Sequence, residues 1–96
     1  MTPLPFAVRT TSHYDRLSNK LRKSHRDFDA LEKSAAAILS TDPYNRTRPH
    51  NIKKLEGIPA GDGQYRLALG RWRFRYDIVA QAVWLRYCSL RREDTY

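Results

Sequence analysis

The sequence predicts an α+β fold: an N-terminal strand, two antiparallel helices, then a three-stranded antiparallel meander whose small sheet carries the helices on one face. Three observations point there. Apolar residues recur at spacings of three and four in the first half, as on one side of a helix. After residue 64 the period changes to two and the composition turns aromatic and β-branched, as in strands. The 96 residues, 41% of them hydrophobic, suffice for one compact core and not for two, so residues 1–96 read as a single domain.

In chain order, "LPFAVRT" (residues 4–10) reads as a first strand bounded by prolines. In "TSHYD", Ser12 with Asp15 three residues on resembles a capping box, which starts a helix. Tyr14, Leu17 and Leu21 then form its apolar stripe, while Arg16, Lys20, Arg22 and Lys23 fall elsewhere on the wheel. The pattern restarts after "SHRD": Phe28, Leu31, Ala35 and Ile38 mark a second helix that stops before "STDPYN", where Pro43 cannot continue it. Residues 41–63 carry three prolines and three glycines, with Ile52, Leu55 and Ile58 as apolar anchors, and read as one long loop. "QYRLALG", "RWRFRYDIV" and "AVWLRYCSL" are the three strands, joined at Gly70 and near Ala80 and Gln81. In the last of them Val83, Leu85 and Tyr87 face one way and Ala82, Trp84 and Cys88 the other. A strand apolar on both faces is covered or central.

Charge narrows the function. Lys and Arg number 18 against 10 Asp and Glu, a formal net charge of +8, which fits a partner that is nucleic acid, an acidic protein or an anionic membrane. No apolar run approaches the length of a membrane span, and "MTPLPFAVRTT" lacks a basic stretch leading into an apolar one, so a cytoplasmic location without membrane partners is expected. The single cysteine, Cys88, reads as a small buried hydrophobe. No His/Cys/Asp/Glu group has metal-ligand spacing, no glycine loop would cradle a phosphate, and no Ser/His/Asp order suggests a triad, so no metal or small-molecule cofactor is expected.

What remains is arginine. In "GRWRFRY", Arg71, Arg73 and Arg75 alternate with Trp72, Phe74 and Tyr76, which puts the aromatics in the core and three guanidiniums together on the other face. Arg66 and Ala68 share that side in the preceding strand, Arg86, Arg91 and Arg92 follow, and Lys53 and Lys54 stand in the loop before it. Arginine forks match phosphate oxygens and tyrosine rings offer planes for an unstacked base, so RNA is the anion expected. Tyr65, Tyr76 and Trp72 read as core. His13 and His25, at the first helix, read as solvated. His50 sits in the basic loop, where it is either a plain loop histidine or a general base, since an imidazole titrates near neutrality.

"KLEG", "GQYRLALGRWRFRYDI" and a chain ending in "LRREDTY" resemble the RelE/ParE superfamily of bacterial toxin-antitoxin toxins, over most of the chain. The resemblance implies the fold above and, for RelE-like members, a ribosome-dependent endoribonuclease. Such enzymes cut mRNA in the ribosomal decoding site by driving a ribose 2′-hydroxyl onto the adjacent phosphate without a metal, and so inhibit translation. By the same resemblance Arg73 would stabilise the phosphate in the transition state. Arg66 stands where a lysine often helps take the 2′-hydroxyl proton; a guanidinium accepts protons poorly, so its role would be electrostatic. The second lysine of the pattern is Ala68 here, which leaves the general base unassigned. Arg91 or Arg92 would act near the leaving 5′-oxygen, and Tyr96 would stack on or bond to the nucleotide. Lys53, Lys54, Arg71, Arg75, Arg92 and His50 would line the RNA path, their affinity weakening with salt. The expected partner besides mRNA is a cognate acidic antitoxin. ParE-like members inhibit DNA gyrase instead, and a non-catalytic RNA-binding module is the third reading that the charge allows.

Overall fold

The computed structural model describes residues 5–46 and 49–91. Strand β1 (Ala7–Thr10) leads into helices α1 (Ser12–Ser24) and α2 (Phe28–Thr41), and strands β2 (Ile52–Lys54), β3 (Tyr65–Leu69), β4 (Trp72–Val79) and β5 (Ala82–Leu90) follow. Among the described residues, no helix is long and apolar enough to cross a membrane.

The α+β class holds, and the meander β3–β4–β5 is present. It is the middle of a larger object, a five-stranded mixed sheet in the order β1-β5-β4-β3-β2. β1 runs parallel to β5, with Val8 opposite Val83, and β2 adds an antiparallel edge to β3, with Ile52 opposite Leu67. The long loop expected over residues 41–63 is therefore interrupted by a strand. Three residues are too few to display a period of two, and the surrounding prolines and glycines mask it.

Helix α1 begins as its cap chemistry requires, one residue earlier than the Ser12 box implies. The Thr11 hydroxyl is the cap, accepting from the Tyr14 N–H at 3.1 Å, and the Thr11 N–H donates to the Leu85 carbonyl at 3.3 Å. The cap thus ties the helix start to β5, while Asp15 remains in the first turn, where a negative charge suits the helix dipole. Tyr14 is buried, and Leu17 and Leu21 pack against the core as their spacing requires. Helix α2 buries Phe28, Ala35 and Leu39. Past its end Pro43 is buried as well, its carbonyl accepting the Tyr76 hydroxyl at 2.6 Å.

The core lies between the helices and one face of the sheet, where Leu67, Trp72, Phe74, Tyr76, Val83, Leu85 and Cys88 meet Tyr14, Phe28, Ala35 and Leu39. Cys88 behaves as the buried hydrophobe expected, and burial pushes its thiol up to about 12. The simple alternation assigned to β5 fails at one point. Arg75 pairs with Tyr87 but Tyr76 pairs with Leu85, leaving Arg86 as the extra residue of a β-bulge. Val83 and Leu85 face the core before it, Cys88 after it, and Tyr87 is turned to the opposite face, 39% exposed.

The two hairpin turns have different chemistry. Gly70 supplies the positive φ of +57° between β3 and β4, and Ala80 adopts φ +54° between β4 and β5, a region that disfavours any residue with a Cβ. Ala80→Gly is expected to raise stability by up to about 1 kcal/mol, seen as a higher urea midpoint with an unchanged slope.

Candidate functional site

The face of the sheet away from the helices carries the charge. Register places it: Arg66 is opposite Arg75 and Ala68 opposite Arg73, while Lys53 is opposite Arg66 on the edge strand. Directly opposed residues share a face, so the basic sides of β2, β3 and β4 coincide. Arg66, Arg73 and Arg75 line one pocket of about 220 Å3, with Tyr87 and Ser89 from β5 and with Leu55 and Ile58 as its apolar wall.

Arg73 and Arg75 each donate to backbone oxygen. Arg73 Nη1 donates to the carbonyls of Gly70 at 2.7 Å and Trp72 at 3.0 Å. Arg75 donates from Nε to the Gly63 carbonyl at 3.2 Å and from Nη2 to that of Asp62 at 2.7 Å. It also lies over Tyr87, 5.1 Å from the ring centroid, a cation–π contact. Carbonyls orient Arg75 without cancelling its charge, and neither Arg66 nor Arg75 forms an ion pair with a described carboxylate. Arg66 Nε is buried with no hydrogen-bond partner. A buried donor left in that state costs about 1–3 kcal/mol.

The wall of the pocket is positioned by a residue that the sequence reading passed over. Asp77 stands on the basic face of β4 and is 2% exposed because residues 55–64 fold back across it. Its carboxylate accepts from the N–H groups of Gly61 and Gly63, each at 3.1 Å, and of Gln64 at 2.9 Å. Arg86 Nε completes the set at 2.9 Å. Gly63 is needed at that point: its φ is +82°, and a Cβ would sit 3.0 Å from that of Arg75. Burial raises the Asp77 carboxyl, but the Gln64 N–H, Arg86 and the Gly63 N–H outweigh it, and the group lies below its ordinary value of 3.8. One acid inside an otherwise basic and aromatic strand was the signal available for it.

Other expected site residues are placed elsewhere. Arg71 does not extend the row of arginines: it sits exposed with Gly70 in the two-residue turn between β3 and β4, because β4 begins at Trp72. Lys54 pairs with Tyr65 and so faces the helix side, its Nζ 5.8 Å from the Tyr65 ring; of the two lysines only Lys53 shares the basic face. His50 does not line the pocket, and its backbone is clamped on both sides by the Asn45 amide. Arg91 is exposed just past β5, its N–H bonded to the Arg71 carbonyl at 2.6 Å, so these two arginines mark one end of the sheet. Arg92 and Tyr96 lie outside the described residues. His13 is exposed, as the solvated reading expects, and its ring still meets Tyr87 edge-on at 5.0 Å; His25 is half-buried, against Trp72 at 5.1 Å. Among the described residues no three His, Cys, Asp or Glu side chains converge as a metal site.

Asp77→Asn is expected to destabilise the protein by roughly 2–4 kcal/mol at neutral pH, since it removes the charge from a buried, fully bonded carboxylate and strands Arg86. The folded-state value is depressed, so the wild-type contribution is complete above 3.8 and is lost as pH falls through the lower folded value. Urea titrations between neutrality and strong acid should show a shallower acid loss in the variant.

Comparison with family models, with characterised proteins and with solved structures finds no match to this chain.

Proposed function

We propose that the chain is a toxin of the RelE-like kind, a ribosome-dependent endoribonuclease that cuts mRNA and so stops translation, held in check by an acidic antitoxin protein. The single observation that carries this reading is the convergence of Arg66, Arg73 and Arg75 with Tyr87 in one pocket on the sheet face away from the helices. It adds to the resemblance borne by the residues of β3 and β4.

The chemistry asked of the pocket is transesterification. The 2′-oxygen of a ribose attacks the adjacent phosphorus, the P–O5′ bond breaks, and the products are a 2′,3′-cyclic phosphate and a 5′-hydroxyl. The proton leaves the 2′-oxygen and one is delivered to the 5′-oxygen. Negative charge on the non-bridging oxygens rises on the way. Three converging guanidiniums, two of them held by backbone carbonyls, are suited to that rise, because donors already oriented need no reorganisation as charge develops. The described lining offers hydroxyls from Tyr87 and Ser89 but no carboxylate or imidazole. Its contribution is therefore stabilisation and positioning. The apolar wall of Leu55 and Ile58 lowers the local dielectric and strengthens each contact. The same positive face is the surface on which an acidic antitoxin would dock, attracted before it touches.

Arg73→Ala is expected to reduce cleavage ~10² to 10³-fold, the loss seen when one such donor is removed. The measurement is the mapping of messenger 5′ ends on purified, programmed ribosomes. Cleavage by the variant at the parental rate would overturn the proposal. Double-strand DNA breaks without messenger cuts would move the reading to gyrase inhibition, and binding of RNA with neither would leave a non-catalytic module.

A further inference from the structure

Beside the basic pocket the same face holds a second cleft, of about 290 Å3, lined by Thr11, His13, Gly61, Arg86 and Tyr87. Tyr87 belongs to both cavities. Its ring is a ridge between them, gripped by the Arg75 guanidinium at 5.1 Å and by the edge-on His13 ring at 5.0 Å. The β-bulge is what brings Arg86 and Tyr87, neighbours in sequence, out on one side of the sheet.

Arg86 is a built group. Its Nε bonds the buried Asp77 carboxylate at 2.9 Å, and its guanidinium lies 5.8 Å from the Trp84 ring. With one edge so fixed, the two Nη groups remain as a planar pair of donors. Such a pair matches two neighbouring acceptors in one plane. Among RNA bases guanine offers that edge, as O6 and N7; adenine presents an acceptor beside a donor there, which mismatches a fork of two donors.

We propose that this cleft is a nucleobase subsite that selects guanine, with the Arg86 Nη groups on O6 and N7 and with Tyr87 as the ring on which the base rests. It rests on the RNA reading of the neighbouring pocket: a strand crossing Tyr87 sets its phosphate among Arg66, Arg73 and Arg75 and the adjoining base beside His13 and Arg86. His13 is a positioning residue, set edge-on against Tyr87 at the cleft.

The test is fluorescence anisotropy of the full chain with labelled single-stranded hexamers: all uridine, or uridine with one central guanine or adenine. The guanine hexamer should bind about tenfold more tightly than the other two, a factor within the range of one bidentate base contact. Arg86→Lys keeps the charge beside Asp77 but removes the fork, and should bring the three affinities within about twofold while all-uridine binding stays near wild type. His13→Ala leaves the Asp77 anchor intact and should weaken the guanine hexamer selectively, with an unchanged melting curve. Equal affinities in the wild type, a guanine preference that survives Arg86→Lys, or a uniform loss across all three hexamers would overturn the subsite. The ribosome assay separates the two proposals: guanine-selective binding without messenger cuts ends the nuclease and keeps the subsite, and cuts without guanine-selective binding do the reverse.

Discussion

The Asp77 carboxylate is the constraint on which the rest of the outer face depends. A charge that is 2% exposed would be costly alone, and here it is met by three backbone N–H groups and one guanidinium. The consequence is structural before it is electrostatic. Those N–H groups belong to a glycine-rich stretch with little apolar surface to bury, which would otherwise have small reason to lie on the sheet. Pinned there, it delivers Ile58 as a pocket wall and presents the carbonyls of Asp62 and Gly63 to Arg75. One buried acid in a basic protein thus organises its cations.

Those cations are arranged against their own repulsion. Arg66 and Arg75 are directly opposed across β3 and β4, where like charges destabilise a sheet. A protein selected for stability alone would place an acid at one of the two positions. Here carbonyl dipoles hold the Arg75 charge in place, and the Arg66 Nε stays buried and unbonded. Both arrangements cost the free protein stability.

What was legible in the sequence follows from the length scale of each signal. Period-two alternation over residues 65–79 located β3, β4 and the shared basic face, because many residues repeat the same message. The helical stripe at Tyr14, Leu17 and Leu21 was legible for the same reason. Features set by one residue were not. β2 is three residues long; the parallel pairing of β1 with β5 leaves no local mark; and Arg71 continues the alternation in sequence but falls in a turn because Gly70 opens one there. Lys53 and Lys54 look equivalent until a strand separates their faces. The partners of Asp77 and His13 arrive from 9 positions away and more, and no local pattern announces them.

The bulge at Arg86 shows how a single-residue feature decides what the site can be. Without it, alternation from Val83 and Leu85 would carry Tyr87 into the core and turn Cys88 outward. The pocket would lose its ring, the core would have to house a phenol beside Tyr14, and the Arg75 guanidinium would lose its aromatic partner. With it, a small thiol fills the space beside Tyr14 and the large ring stands between two clefts. The irregularity in the ladder forfeits a little pairing. In return, the Asp77 anchor, through Arg86, and the arginine pocket, through Tyr87, come to rest on adjacent residues of one strand.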